Sequence, residues 1–315
     1  MHLYRDSKNK FEYMASYGFR GLIVPVVTAF HDNFYRSLNL DVISNFAKYL
    51  LSSGIRGVLV SGTTGEGMSL SIQERKDLIK AWAEAVQNTK QHLMVQIGGC
   101  PLPDVLELAR FSEKNGADAL LCLPELYYKP KTNQQLIEYL KVVGDAAPNT
   151  PLFYYNFPLM TNVTLDVADF LNRSVDQLPT LRGVKFTSSD LNAAQEALNA
   201  ASGRYTIFLG NNTLISAATM LGFNSFIPAT LNLVPELGHQ LLEAANSCDL
   251  EKAKQLQNTV TRVTKIVGAT GSLIPGIKAV MNAFSPIKVG PVRLPLQNLS
   301  DNQLAELESA LKPYM

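Results

Sequence analysis

The sequence predicts an α/β protein, a (β/α)8 TIM barrel with a C-terminal helical extension, and three observations predict it. Short runs of β-favouring residues recur at a fairly regular interval from Leu22 to Ala229. The stretches between them carry apolar residues at helical spacing, so strand and helix patterns alternate as a parallel sheet requires. After Ala245 the alternation stops, and the remaining apolar patterns are helical only.

In order, the strand-like runs are Leu22 to Phe30, Gly57 to Gly62, Leu93 to Gly98, Ala119 to Pro124, Leu152 to Phe157, Gly183 to Thr187, Thr206 to Gly210 and Asn224 to Ala229. Each is rich in Val, Ile, Leu, Phe or Tyr, as short buried strands are. Helical periodicity is clearest over Leu40 to Ser52, Ile72 to Val86, Pro103 to Asn115 and Thr132 to Ala146. Ser71 with Glu74 forms a capping box for the second of these. Leu233 to Ala245 supplies the eighth helix, and Leu250 to Gly268, Ile274 to Phe284 and Asn302 to Leu311 follow with no strand between them. An open doubly wound sheet usually stops at fewer strands and ranks second. The chain therefore divides into an N-terminal extension (1–17), a barrel (18–245) and a helical extension packed on it (246–315).

A chain of 315 residues with 46% hydrophobic residues can bury a large core as one barrel. The formal net charge of +1 gives no electrostatic case for nucleic acid or an anionic membrane, and no basic stripe interleaved with aromatic residues occurs. Small neutral or anionic ligands are the better expectation. Cys100, Cys122 and Cys248 are widely spaced and odd in number, and with only four histidines they suggest neither a disulfide framework nor a zinc site. They read as core thiols of a reducing compartment. Met1 to Tyr17 lacks the apolar run of a signal peptide, and nowhere do about eighteen apolar residues run together, so a cytoplasmic protein is expected.

Within this framework the most informative residue is Lys185, in Leu181-Arg182-Gly183-Val184-Lys185-Phe186-Thr187. Strand alternation puts Val184 and Phe186 on one face and Gly183, Lys185 and Thr187 on the other. An ammonium enclosed without a partner is costly, and loss of its proton leaves a neutral amine able to attack a carbonyl. The competing reading is a lysine that reaches solvent from a strand end.

Barrel active sites form at the C-terminal ends of the strands, so polar residues there carry most weight. The second strand runs into Ser61-Gly62-Thr63-Thr64-Gly65-Glu66-Gly67. Its glycines allow a tight turn that aims N–H groups at one spot beside two hydroxyls, which suits a carboxylate or a phosphate. It has neither the lysine of a P-loop nor the glycine spacing of a dinucleotide fingerprint. The fifth strand carries Tyr154-Tyr155-Asn156-Phe157-Pro158 and the fourth leads to Tyr127-Tyr128. Buried tyrosines are mostly packing residues, but a phenol beside a reacting carbon can move a proton.

Gly62-Thr63-Thr64-Gly65-Glu66, Tyr154-Tyr155-Asn156-x-Pro158 and Gly183-Val184-Lys185-x-Thr187 together resemble the dihydrodipicolinate synthase/N-acetylneuraminate lyase family of class I aldolases. Order and spacing match over nearly the whole barrel. Gly65-Glu66-Gly67-Met68-Ser69-Leu70-Ser71 and Gly290-Pro291-Val292-Arg293-Leu294-Pro295-Leu296 look most like the animal-type sialic acid lyases of that family.

The resemblance implies a covalent imine between Lys185 and pyruvate or the 2-oxo group of a small-molecule substrate, with no metal or organic cofactor. It implies Tyr155 as acid/base, Thr63 as its hydrogen-bonding relay, Thr64 and nearby N–H groups as holders of the carboxylate, and Thr187 as a contact to the sugar-like chain. Tyr127 falls near a family site tyrosine, although Glu125 stands where the family has proline. Family members are commonly tetramers, so a homo-oligomer is expected.

The match weakens at the far end of the substrate. Sialic acid lyases follow the seventh strand with glycine, an aromatic residue and an acidic pair, whereas this chain has Gly210-Asn211-Asn212-Thr213. Asn212 and Thr213 can bond hydroxyls but without charge assistance. The family's glycine and serine after the eighth strand align with Pro228 and Ala229. Three readings follow: a lyase acting on N-acetylneuraminate or a related 2-oxo sugar acid; another reaction of the family, such as condensation with aspartate semialdehyde or cleavage of a shorter 2-oxo-3-deoxy acid; and a non-catalytic binding barrel. Against the aspartate semialdehyde reaction, no arginine on the side of the fifth and sixth strands is obviously placed for a second substrate carboxylate, Arg173 being the one exception to consider.

Overall fold

Eight parallel strands close on themselves in the computed structural model, which describes residues 17–315. They are β1 (Gly21–Pro25), β2 (Gly57–Val60), β3 (His92–Gln96), β4 (Ala119–Cys122), β5 (Leu152–Asn156), β6 (Leu181–Phe186), β7 (Thr206–Leu209) and β8 (Ser225–Phe226), in that order around the barrel. Pairing of Gly21 with Ser225 and Leu22 with Phe226 closes the circle. The expected N-terminal extension, apart from Tyr17, lies outside the described residues.

The helices are α1 (Ile43–Ser52), α2 (Ile72–Thr89), α3 (Leu102–Lys114), α4 (Asn133–Ala146), a single turn α5 (Pro158–Thr161), α6 (Val167–Ser174), α7 (Leu191–Gly203), α8 (Ile215–Met220) and α9 (Pro235–Asn246). Then come α10 (Leu250–Gly268), α11 (Leu273–Phe284) and α12 (Asp301–Leu311). Helix α10 packs on α9 and α8, and α11 and α12 pack on α10. The Ser71–Glu74 capping box at the start of α2 is present.

Two strand ends differ from expectation. The run Leu22 to Phe30 stops being a strand at Pro25, and Phe30 instead bridges Leu38 within the loop. The run Asn224 to Ala229 keeps only Ser225–Phe226, because a helical turn begins at Ala229 and Pro228 before it has no N–H for a ladder. The cysteines also differ: Cys122 is buried, but Cys100 is half-buried and Cys248 is exposed, so only one is a core thiol. Cys248 follows the end of α9 with a left-handed φ of 61°, on the outside of the helical layer.

Strand alternation creates two cores. Val58, Val60, Leu93, Val95, Leu120, Val184 and Phe186 face the helices. Ile23, Leu59, Met94, Leu121, Phe153, Tyr155, Phe208 and Ile227 fill the barrel interior. Tyr17 and Phe19 close its N-terminal end. The Tyr17 ring meets Phe153 edge-on at 4.7 Å, its hydroxyl lies 2.7 Å from His92 Nε2, and Phe19 stacks on His92 at 4.5 Å. With that end plugged, only the C-terminal end can admit a small molecule.

Candidate active site

Lys185 sits on the interior parity of β6, near its C-terminal end. Gly183, two residues earlier on the same face, is required by close approach: a Cβ there would lie 1.8 Å from the carbonyl oxygen of Thr206. Pairing between β5 and β6 passes from Leu152↔Leu181 to Phe153↔Gly183, so Arg182 is an extra residue, and this shift sets Tyr155 beside Lys185.

The lysine is 4% exposed, and its Nζ stands 4.1 Å from the centroid of the Tyr155 ring. Neither an ion pair nor a hydrogen bond to this Nζ occurs among the described residues. Tyr155 is itself buried, and its hydroxyl lies 3.0 Å from Thr63 Oγ1 in the turn after β2. Three strands thus deliver an amine, a phenol and a hydroxyl in series. A phenol carrying a proton toward or away from a carbon held on the neighbouring amine needs this order of groups.

The turn that presents Thr63 is tightly wound. Ser61 and Glu66 have φ of 57° and 53°, and a Cβ on Gly67 would lie 2.0 Å from the Ser61 carbonyl oxygen, so glycine is required there. Glu66 N–H donates to Thr63 O and Gly67 N–H to Gly62 O. The N–H groups of Thr63 and Thr64 have no protein acceptor among the described residues. Thr64 is buried beside them. Unpaired backbone donors on one tight turn are the elements from which anion-binding sites are built.

On the β6 and β7 side, Thr187 Oγ1 is buried without a partner. A Cβ added to Gly210 would lie 2.4 Å from that oxygen and 3.4 Å from Lys185 Cε, which places Gly210, Thr187 and the lysine around one small space. The half-exposed polar side chains that follow make bonds within the protein. Asn212 Oδ1 accepts from Thr230 N–H at 3.0 Å, and Asn211 Oδ1 accepts from both the N–H and the hydroxyl of Thr213. Ala229 begins the turn after β8, with Pro228 buried before it.

Tyr127 is apart from this cluster. It is 80% exposed and lines, with Tyr128, a groove of about 1460 Å³ whose walls include Cys100, Glu125, Tyr139 and Leu165 but neither Lys185, Tyr155 nor Thr63. Arg173 lies on the outer helix α6, paired with Asp169 at 2.7 Å. No group of three or more His, Cys, Asp or Glu side chains placed to hold a metal occurs among the described residues. No helix among them is long and apolar enough to cross a membrane.

Sequence reasoning did not single out three buried charges near the site. Arg75 on α2, 1% exposed, donates to Gln96 O at 2.7 Å and Gly98 O at 3.1 Å, occupying carbonyls at the end of β3. Glu66 and Lys278 form a buried pair behind the Thr63 turn, with Nζ 2.9 Å from Oε1. Lys278 and Glu66 are lone charges in apolar or small-residue stretches, the pattern that drew attention to Lys185, whereas Arg75 is masked among Glu74, Lys76 and Asp77.

Comparison with known proteins agrees with this fold. The model of the Dihydrodipicolinate synthetase family matches residues 18–314. N-acetylneuraminate lyase of Mus musculus is 30% identical over 295 residues, covering 93% of this chain and 92% of that protein. The Gallus gallus protein of the same name is 32% identical over 294 residues, covering 93% and 95%. The solved structure of Proteus mirabilis N-acetylneuraminate lyase superimposes with a TM-score of 0.88 at 30% identity, covering 94% of this chain and 98% of that one.

Proposed function

The chain belongs to the dihydrodipicolinate synthetase family, and from that premise we propose that it is a class I aldolase that cleaves a 2-oxo sugar acid of the N-acetylneuraminate type to pyruvate and an aldehyde. The observation that carries this reading is the series Lys185 Nζ, Tyr155 and Thr63, at 4.1 Å from amine to ring and 3.0 Å from phenol to hydroxyl.

In the proposed reaction Lys185 Nζ attacks the 2-oxo carbon, and water leaves to give an iminium. The C4 hydroxyl gives its proton to the Tyr155 oxygen as the phenol passes its own proton through the Thr63 hydroxyl to water, and the same relay run in reverse supplies the proton that C3 takes up later. The C3–C4 bond then breaks, its electron pair passing into the C2–N unit as an enamine while the aldehyde departs. Protonation at C3 and addition of water at C2 return pyruvate and the free amine. The iminium is the electron sink for this step, so the mechanism draws on no metal or organic cofactor. The free N–H groups of Thr63 and Thr64 hold the substrate carboxylate and so fix the scissile bond relative to Tyr155. Thr187, with an unpartnered hydroxyl beside Lys185, contacts the chain beyond C3.

A second reading, cleavage of a shorter or less hydroxylated 2-oxo-3-deoxy acid, is favoured by the distal end of the site. Asn212 Oδ1 and the Thr213 hydroxyl are engaged within the protein, Pro228 has no N–H and Ala229 no hydroxyl. A long polar tail would find no charged partner there, only the Asn212 Nδ2 amide as a donor, and unpaired substrate hydroxyls disfavour binding. Condensation with aspartate semialdehyde is disfavoured because Arg173 is committed to Asp169 on an outer helix. Tyr127, Tyr128, Leu159 and Met160 are exposed apolar side chains of the kind a subunit contact covers, and a homotetramer in a cytoplasmic setting is the assembly we propose.

The test is pyruvate release from a panel comprising N-acetylneuraminate, other nine-carbon 2-oxo acids and five- and six-carbon 2-oxo-3-deoxy acids. Preference for N-acetylneuraminate supports the first reading, and preference for the short acids supports the second. Failure to release pyruvate from any of them overturns both.

A further inference from the structure

The turn that presents Thr63 and Thr64 is braced from behind by the C-terminal extension. Glu66 is the pivot. Its side chain is fully buried, Oε1 accepts from Lys278 Nζ of α11 at 2.9 Å, and Oε2 accepts from the backbone N–H of Arg293 at 2.8 Å. Lys278 also donates to the carbonyl of Thr28 at 2.8 Å, and the Thr28 hydroxyl donates to Gly65 O at 2.6 Å. The Arg293 guanidinium grips Glu74 with both terminal nitrogens, at 2.6 and 2.9 Å, and reaches Ser69 O and Arg36 O. Both cations rest on the Phe30 ring, its centroid 4.3 Å from Lys278 Nζ and 4.5 Å from Arg293 Cζ.

Stability alone is a poor reason for such a pair. Burying both ions costs several kcal/mol each, and apolar residues of similar volume often serve as well or better. Burial pushes the Lys278 ammonium down to about 8, opposed by the attraction of Glu66. What ions provide and apolar residues do not is directional anchoring. Here the anchored residue is Glu66, in left-handed conformation two residues after Thr64. Its N–H closes the turn onto Thr63 O. A displacement of Glu66 is therefore passed to the Thr63 and Thr64 N–H groups.

We infer that Glu66 and Lys278 are positioning residues through which the C-terminal extension sets the grip of the β2 turn on the carboxylate of a 2-oxo acid. This rests on the reading of Lys185 as the imine-forming amine. It assigns the extension a role in substrate affinity in addition to covering the barrel. Glu66 and Lys278 touch no reacting atom, so their loss acts on the concentration of 2-oxo acid required and much less on turnover once the site is filled.

The experiment uses the full chain and pyruvate with borohydride, reading the fraction of Lys185 reductively alkylated as pyruvate concentration is varied. Glu66→Gln keeps the volume but turns an amide N–H toward either Lys278 or the Arg293 N–H. It is expected to raise half-saturating pyruvate on the order of tenfold, the scale of one lost charge-assisted hydrogen bond. Yield at saturation stays near wild type. Lys278→Met strands the Glu66 carboxylate and is expected to do more harm, while Glu66→Gln/Lys278→Met removes that charge and recovers part of the loss. Melting temperature is recorded for each variant. Where Lys278→Met does not fold, Glu66→Gln and the double variant decide the matter. A lowered melting temperature with wild-type half-saturation in folded Glu66→Gln overturns the positioning role and leaves a structural one. Failure of wild type to trap pyruvate at any concentration instead overturns the imine reading beneath it.

Discussion

Replacing Tyr155 by Phe isolates the proton-transfer step from the rest of the site. The substitution removes one oxygen, the one 3.0 Å from Thr63 Oγ1, and keeps the ring on which Lys185 Nζ rests at 4.1 Å. Phe157 stacks against the same ring at 6.0 Å and remains in place. The structural cost is the loss of a single neutral hydrogen bond, about 1 kcal/mol. The kinetic cost is larger, because a positioned general acid/base contributes roughly 100- to 10,000-fold, equivalent to about 3–5 kcal/mol of barrel-site transition-state stabilisation. Tyr155→Phe is therefore expected to trap pyruvate on Lys185 with borohydride nearly as wild type does, and to release pyruvate from substrate at least about 100-fold more slowly. The assays are intact-mass analysis of the trapped protein and a coupled measurement of pyruvate formed. Wild-type turnover in Tyr155→Phe would falsify the proton-shuttle role, and loss of trapping would show that the phenol acts in imine formation instead.

Other predictions follow from close approaches and from burial. Gly210→Ala places a Cβ 2.4 Å from Thr187 Oγ1, so the threonine must rotate; trapping with small pyruvate is expected to survive while cleavage of longer substrates falls, and equal loss on both would count against the assignment of Thr187 to the chain beyond C3. Gly183→Ala drives a Cβ to 1.8 Å from backbone oxygen of β7, and overpacking of a barrel strand is expected to destabilise by about 1–3 kcal/mol in chemical denaturation. Burial lowers His92 from 6.5 to about 4, with Asp118 opposing. The unfolded chain then binds the extra proton first, so this contribution is whole above pH 6.5 and is lost as pH falls from there toward 4, by up to about 3 kcal/mol. Melting curves of wild type and His92→Gln across that window check it: the variant should show the smaller loss.

Much of the barrel was legible because its cause is local. Eight apolar runs alternating with helical periodicity leave few other ways to bury both faces of a sheet. Lys185 was legible for a related reason, since a charged residue at interior parity conflicts with its neighbours and so marks itself, whereas Tyr155 was set apart from Tyr154 only by the family resemblance. Strand ends were less so. β1 stops at Pro25, although the Val26 N–H still reaches Leu59 O, and β8 keeps only Ser225–Phe226 before the chain enters the helical turn at Ala229, both short of the apolar runs.

The Glu66–Lys278 brace joins residues 212 positions apart, and no periodicity links them. Lys278 alone, a lysine in Leu273–Phe284 that is only 1% exposed, could have been noticed by the desolvation argument applied to Lys185, but its partner could not. Likewise, sequence gives Asn212 and Thr213 as hydroxyl-binding residues, and only the folded chain shows their oxygens engaged by Thr230 and Asn211.

The central claim is that Lys185 is the nucleophile. Incubating the full chain with pyruvate, reducing with borohydride and mapping the modified peptide by mass spectrometry tests it most directly. A single reduced pyruvyl group on Lys185, absent from Lys185→Ala, is the predicted result. An unmodified protein, or a label on another lysine that persists in Lys185→Ala, would contradict it.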